Sequence, residues 1–199
     1  MTPDARKKVL ARASRAAREL AREQATYGSV SDGTGRRYRV GVHFLQAGAL
    51  EKAGNAFDWY EQTFPDDAGE PVFLLYAALT AYRLGQMDKA TTWLLRSLLS
   101  NVYLLPWLAG QAPQPLPLWH ASNWQQLDYL QEVAEFLHEP TADERQWIAS
   151  ALDSAPFKAM HEGHVATYRA LDGLSDIRQR TAVLERWEQL QARYLPGRA

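Results

Sequence analysis

Two histidines in the C-terminal part of the chain have the spacing that comes nearest to metal chemistry. The segment reads His161-Glu162-Gly163-His164, whereas the helical zinc signature needs two histidines four residues apart with a glutamate beside the first. Here the histidines are three residues apart, Gly163 lies between them, and no third ligand is evident. We therefore expect a solvated helix face, and we keep a metal-dependent enzyme using His161, Glu162 and His164 as the weakest alternative.

Other patterns that support catalysis are either missing or explained by local structure. The acid pairs Asp66-Asp67 and Asp143-Glu144 lie at turns before predicted helices, where carboxylates stabilise helix N-termini. The chain has no Gly-x-Ser-x-Gly turn and no cysteine, which excludes thiol nucleophiles, cysteine-bound zinc and iron–sulfur clusters. The glycine-rich segment 28–35 lacks the Lys-Ser or Lys-Thr ending of a phosphate-binding loop. We predict no catalytic residue, no cofactor and no metal, and therefore a protein that is not an enzyme.

Composition sets the class of fold that has to position any site. The chain has 199 residues, of which 46% are hydrophobic, and it includes seven Trp and nine Tyr. This length fits a single helical domain over residues 1–199 with a sizeable core. No apolar run approaches the roughly 18 residues of a membrane span. We predict an all-α, cytoplasmic protein that does not contact a membrane.

Charge is unevenly distributed along the chain. Residues 1–40 carry ten Lys or Arg against four acids, and the remaining 159 residues carry twelve against nineteen. Most of the excess lies in a basic N-terminal helix, predicted over residues 4–25 within the segment 1–27. Such a helix either docks on the acidic remainder of its own chain, which we favour, or serves as a nucleic-acid arm.

A six-residue pattern occurs twice, 37 residues apart. It reads Gly-x-apolar-acid-Lys-Ala, at 48–53 and again at 85–90. Glycine ends a helix without strain, the acid stabilises the next N-terminus, and alanine lets the two helices approach closely. Each copy separates two apolar-periodic segments, so we predict helices over 38–45, 53–64, 73–84 and 90–99. Together they form two helical hairpins within residues 35–100.

These hairpins resemble the tetratricopeptide repeat, whose pattern is W-x2-L-G-x2-Y, then A-x3-F, then P. The first copy lacks only the leading aromatic residue, and the second is more divergent and lacks the proline. The matches are Arg37-x2-Val40-Gly41-x2-Phe44, Ala53-x3-Phe57 and Pro65, then Leu74-x2-Ala77-Ala78-x2-Ala81 and Ala90-x3-Leu94. The order of short motifs through Asn101, Pro106, Leu108 and Gly110 is also similar to a group of uncharacterised repeat proteins, which implies no particular activity.

The rest of the chain divides into two segments. Four prolines and three tryptophans interrupt helical periodicity in residues 101–124, which we call the strap and expect to be extended over the helical body. The C-terminal segment 125–199 is predicted to hold helices over about 123–137, 141–155, 156–170 and 175–194. Thr141 and Glu144 have the spacing of a capping box. The apolar stripe of the last helix comprises Ile177, Thr181, Leu184, Trp187, Leu190 and Tyr194.

The resemblance implies that a ligand would lie on the face formed by the first helix of each hairpin. That face includes the predicted partner-binding residues Tyr38, Leu45, Gln46, Leu79, Tyr82 and Arg83. It is mostly apolar, and two repeats are fewer than a stable solenoid needs. We therefore expect the strap or the C-terminal helices to cover part of it.

Three functions remain, in descending order. The first is a non-enzymatic protein–protein interaction module, such as an adaptor, an assembly factor or a neutralising partner, with self-association as a variant. The second is a nucleic-acid-associated protein that uses the basic helix. Its candidate phosphate contacts are Lys7, Lys8, Arg12, Arg15, Arg18, Arg22, Arg36, Arg37 and Arg39. The third is the metal-dependent enzyme at His161 and His164.

Overall fold

The computed structural model describes residues 1–195, and within them it contains α-helices, one 3-10 turn and no strand. This confirms the predicted all-α class. The helices are α1 Pro3–Tyr27, α2 Arg36–Gln46, α3 Leu50–Thr63, α4 Pro71–Arg83, α5 Met87–Ser100, α6 Leu104–Leu108, α7 Tyr129–Ala134, α8 Ala142–Asp153, α9 Ala155–Leu171 and α10 Ile177–Tyr194, with the 3-10 turn at Asn123–Gln125. None of these helices combines the length and the apolar character that crossing a bilayer requires.

The chain forms two compact units, Met1–Trp93 and Leu94–Ala199, and the division falls inside α5. In the first unit α1 packs on α2, while α2 and α3 pack on each other and on α4. Every residue of α4 from Pro71 to Ala81 is buried. A helix that is apolar on all sides is a core helix, so α4 is the centre around which this unit is built.

The two repeated corners have the same backbone structure. Gly48 and Gly85 adopt positive φ angles of 67° and 73°, and Ala53 and Ala90 have no exposed surface. The same pair of hydrogen bonds, at 2.8–2.9 Å, closes each corner: Gly48 N–H to Leu45 O and Ala49 N–H to Phe44 O, then Gly85 N–H to Tyr82 O and Gln86 N–H to Ala81 O. This is the Schellman motif, in which a left-handed glycine satisfies the last carbonyls of a helix. Both predicted helix ends are therefore confirmed.

The strap differs from the prediction at its beginning, where α6 interrupts the expected extended segment. Asn101 is the reason, because it is 1% exposed and its Oδ1 accepts the N–H groups of Tyr103 and Leu104 at 2.9 and 3.0 Å. Its Nδ2 donates to the carbonyls of Trp124 and Gln126 at 2.6 and 3.1 Å. One side chain thus caps α6 and holds the end of the strap beside it.

Two C-terminal predictions need correction. The helix expected over 123–137 is reduced to the 3-10 turn and α7, because the extended backbone of Gln126 separates them and Phe136 beyond α7 is 63% exposed. In α10 the predicted stripe is buried only at Trp187; Ile177 is 79% and Leu184 37% exposed. The capping box of α8 is confirmed, with Thr141 and Glu144 bonded reciprocally.

Candidate functional site

A groove of about 280 Å³ opens on the surface of the first unit, between α1 and α3. Helix α2, which packs on both of these helices, supplies its floor. The residues that line it are mostly apolar: Ala17, Leu20 and Ala21 from α1, Val40 and Phe44 from α2, and Lys52, Asn55, Ala56 and Trp59 from α3. The groove is open to solvent, so its apolar atoms can be reached by a ligand.

The small side chains of α1 create this opening. Ala13 and Leu20 are 0% and 1% exposed. They are seven residues apart, or about two helical turns, so they lie on the same face and anchor α1 there. Ala17 and Ala21 lie beside that anchoring face and end in a single methyl group. The wall that they form is therefore set back, and the groove reaches down to Val40 and Phe44 of α2, which are 4% and 5% exposed.

The opposite wall is a regular stripe on α3. Lys52, Asn55, Ala56 and Trp59 follow the spacing i, i+3, i+4 and i+7, so they lie along one face of the helix. Trp59 also packs edge-on against Phe64, with ring centroids 5.7 Å apart. The stripe offers an aromatic surface at one end and a cation at the other.

Lys52 is the only charged residue among the described residues that line the groove. Its Nζ lies 6.0 Å from the centroid of the Phe44 ring, above the apolar floor. No salt bridge joins it to an acid within residues 1–195. Its positive charge is therefore available to a ligand.

A polar cluster fixes the start of α2 and hence the floor of the groove. The buried carboxylate of Asp32 accepts the backbone N–H groups of Arg36 and Arg37, both at 2.7 Å. It replaces the cap that Gly35, the residue before α2, cannot provide. Glu23 of α1 accepts from Arg36 at 2.9 Å, so the same cluster ties α1 to α2.

Asp67 extends this cluster to the turn before α4. It accepts the Tyr38 hydroxyl at 2.7 Å and Arg37 Nε at 2.8 Å. Burial and the neighbouring Asp67 raise the pKa of Tyr38 to about 12. Burial opposes the charge of Asp67, yet hydrogen bonds from Tyr38, Gly69 and Arg37 together lower its pKa. Asp67 therefore crosslinks two segments, and Glu70, whose carboxylate accepts Phe73 N–H at 2.6 Å, caps α4 instead.

The predicted partner-binding residues lie elsewhere, and none of them lines the groove. Leu45 and Leu79 are buried, at 6% and 1% exposure. Gln46 and Tyr82 are half-buried, and Arg83 is exposed. Tyr38 is occupied by its hydrogen bonds to Asp67. The sequence signal that points to the groove is the stripe Lys52 to Trp59, which lies on the second helix of the first hairpin and so outside the face that the repeat resemblance implies.

The histidine motif was expected to form a solvated helix face, and this prediction is wrong for His164, which packs in the second unit. His164 is 5% exposed, stacks on Tyr168 at 4.2 Å and meets the edge of Trp187 at 5.6 Å. Burial, with smaller contributions from His161 and His120, lowers the pKa of His164 to about 3. A Cβ on Gly163 would overlap Leu190, so this glycine allows α10 to cross α9 closely. Within residues 1–195 no group of three or more His, Cys, Asp or Glu side chains is arranged to hold a metal.

A second, more polar cleft of about 210 Å³ lies beside His161, between the end of α6 and the helices α8 and α9. Two of its charged residues, Lys158 and Asp153, form an ion pair at 3.2 Å. Because these charges satisfy each other, the cleft makes a weaker candidate than the groove. No family model matches this chain, and comparisons with curated proteins and with solved structures found no significant match.

Proposed function

We propose that the protein is a non-enzymatic protein–protein interaction module, built on tetratricopeptide-like hairpins, that binds a partner through the groove between α1 and α3. The single observation that supports this most is an apolar groove left open on the first unit, with Lys52 at its edge. Apolar grooves between helices are a recurring place for the apolar side chains of a partner to bind. The identical glycine corners after α2 and α4 support the repeat-like arrangement.

The groove also explains why the face predicted from the repeat resemblance is a poorer candidate. Leu45 and Leu79 are buried already, so they have little apolar surface left to offer a partner. Val40 and Phe44 of the groove floor are buried to the same degree, at 4% and 5% exposure, so the apolar surface that a partner can reach lies on the walls, at Ala21, Ala56 and Trp59. We therefore place the partner on α1 and α3 rather than on the first helices of the hairpins.

The test is affinity capture from the native lysate, after nuclease treatment, with three forms of the full chain. Ala21→Arg places a long charged side chain in the groove, and Ala11→Arg makes the same change at an exposed position of α1 that does not line it. We expect the wild type and Ala11→Arg to retain the same stoichiometric protein, and Ala21→Arg to lose it. Equal capture by all three forms, or no stoichiometric protein with any of them, would contradict the proposal.

Nucleic-acid association is the second candidate, and the exposed cations of α1 favour it. Lys7, Arg12 and Arg18 are all exposed. Arg36 and Arg37, however, are held by Glu23, Asp32 and Asp67 and are half-buried, which removes two of the predicted phosphate contacts. Binding to phosphates falls steeply with salt. Capture that disappears on nuclease treatment and is unaffected by Ala21→Arg would favour this candidate.

A further inference from the structure

We infer that the ligand of the groove is an amphipathic helix of a partner protein, with apolar residues on one face and acidic residues on both flanks. This inference rests on the proposed function and specifies the chemistry of the partner. It follows from three properties of the groove: the spacing of its walls, its volume and the charges around it.

The walls favour a helix as the ligand. The α3 stripe from Lys52 to Trp59 covers seven residue-to-residue steps, or about 10 Å at 1.5 Å per step. Two turns of a ligand helix have about the same length. A helix laid along the groove would place side chains at i, i+3 or i+4, and i+7 over the floor formed by Val40 and Phe44. This is the usual arrangement of an amphipathic helix in an apolar groove.

The volume favours side-chain anchors over a complete small molecule. Pockets that enclose small ligands usually measure about 300–1,000 Å³ and bury most of the ligand. At about 280 Å³ the groove is near the lower limit of this range, but it is open to solvent and therefore cannot bury most of a small ligand. It therefore has room for a few apolar side chains of a ligand whose backbone stays outside, which is how a bound helix would sit.

The charges around the groove favour a ligand helix with acidic residues on its flanks. Helix α1 has seven basic against three acidic residues, and two of those acids, Asp4 and Glu23, are already paired with Lys8 and Arg36. Arg18 is not among the lining residues, but it is exposed and has no ion pair within residues 1–195. At 3.6 residues per turn it lies about 60° around α1 from Ala21, whereas the third acid, Glu19, which is also exposed, lies about 160° from both Ala17 and Ala21.

Lys52 supplies a cation on the opposite wall. A helix with acids on both flanks would meet Arg18 on one side and Lys52 on the other, whereas a basic helix would be repelled from both sides. Such complementarity governs specificity and association rate more than total affinity.

The probes are two labelled synthetic helical peptides. They share an alanine background with leucines at i, i+3, i+4 and i+7, and they differ only in having glutamate or lysine at the flanking positions. Binding to the full-length protein is followed by fluorescence anisotropy. We expect the glutamate peptide to bind about tenfold more tightly than the lysine peptide at about 50 mM salt, and we expect this preference to shrink as salt screens the charges.

Three variants test whether the peptides bind in the groove and whether Lys52 selects their charge. Lys52→Glu should reduce the preference for the glutamate peptide several-fold, and Ala21→Arg should abolish binding of both peptides. Arg178→Glu makes a charge reversal at an exposed position of α10 and should leave both affinities unchanged. Circular dichroism and thermal unfolding establish that each variant is folded before its affinity is compared.

Several outcomes would overturn the inference. If both peptides bind equally, or if Lys52→Glu leaves the preference intact, the flanking charges do not select the ligand. If neither peptide binds the wild type, the ligand is not a helix of this kind. If light scattering finds a dimer that Ala21→Arg dissociates, the occupant is a second copy of this chain, and if a single-stranded oligonucleotide displaces the glutamate peptide, it is nucleic acid. The proposed function is judged separately by lysate capture, so it can stand when the peptide test fails.

Discussion

At position 41 the absence of a side chain determines how closely α2 and α3 can pack. A Cβ built on Gly41 would lie 2.8 Å from two atoms of the Phe57 ring, which is closer than carbon atoms pack in protein cores. The ring cannot easily move away, because it is 2% exposed and packs against Phe73 with centroids 5.2 Å apart. The glycine of the repeat-like pattern is therefore required by the approach of an aromatic ring.

Gly41→Ala should destabilise the protein by about 1–3 kcal/mol through overpacking, even though alanine is the better helix former by about 1 kcal/mol. Gly54→Ala is the matched control on α3, because its Cβ would meet only the end of the Leu84 side chain. The control should change stability by less than about 1 kcal/mol, since that side chain can change rotamer. Urea unfolding of both variants measures the difference, and equal effects would contradict this account.

Helix α4 shows how one element depends on the ionisation of its cap. Glu70 accepts the N–H of Phe73, in a position where the helix dipole favours a negative charge. Burial of the carboxyl has the opposite and larger effect, raising its pKa from an ordinary value of 4.5 to about 7. Between these two values the folded chain holds a proton that the unfolded chain has released, so rising pH favours unfolding.

The first unit should therefore lose roughly 2.5 kcal/mol of stability between about pH 5 and pH 8 because of Glu70. Glu70→Gln keeps a side-chain oxygen that can accept from Phe73 and removes the titration, so it should remove this contribution. Hydrogen exchange in Met1–Trp93, corrected for intrinsic rates, measures the slope in both forms. An identical pH profile in wild type and variant would contradict the assignment.

On the scale of the whole molecule, each unit contains a titratable group, and the two groups change stability in opposite directions as pH rises. His164 in the second unit has a pKa lowered from 6.5 to about 3, chiefly by burial. Between these values the unfolded chain binds a proton that the folded chain does not, so falling pH favours unfolding. Titration of Glu70 lowers the stability of the first unit as pH rises, and titration of His164 lowers the stability of the second unit as pH falls.

The second unit should thus lose about 2 kcal/mol between pH 8 and pH 5 because of His164. His164→Phe retains an aromatic ring against Tyr168 and cannot titrate, so the pH dependence of exchange in residues 94–195 should become shallower. The part that remains is assigned to His120 and His161, whose pKa values burial also lowers. The same measurement on Met1–Trp93 is the internal control and should keep its opposite slope. If acid weakened the variant as much as the wild type, another group would have to be responsible.

Local signals in the sequence were sufficient for much of the fold. Apolar periodicity located the helices to within a few residues, except where the helix expected over 123–137 was interrupted. The glycine corners at 48 and 85 and the capping box at Thr141 were predicted because each is closed by hydrogen bonds within about five residues. The helix α6 at the start of the strap was not predicted. It is capped by Asn101, and the same side chain bonds to Trp124 and Gln126, more than 20 residues away, which local sequence does not reveal.

By itself, the sequence determined an all-α chain, its main helix boundaries and its basic N-terminal helix, because these depend on neighbouring residues. Only the tertiary structure decided which apolar stripes are buried, as Leu79 is and Ile177 is not. It also decided the place of the groove, whose walls come from Ala17 and Ala21 on one side and Trp59 on the other. These residues lie about 40 positions apart, and they meet only because α2 packs against both helices that carry them.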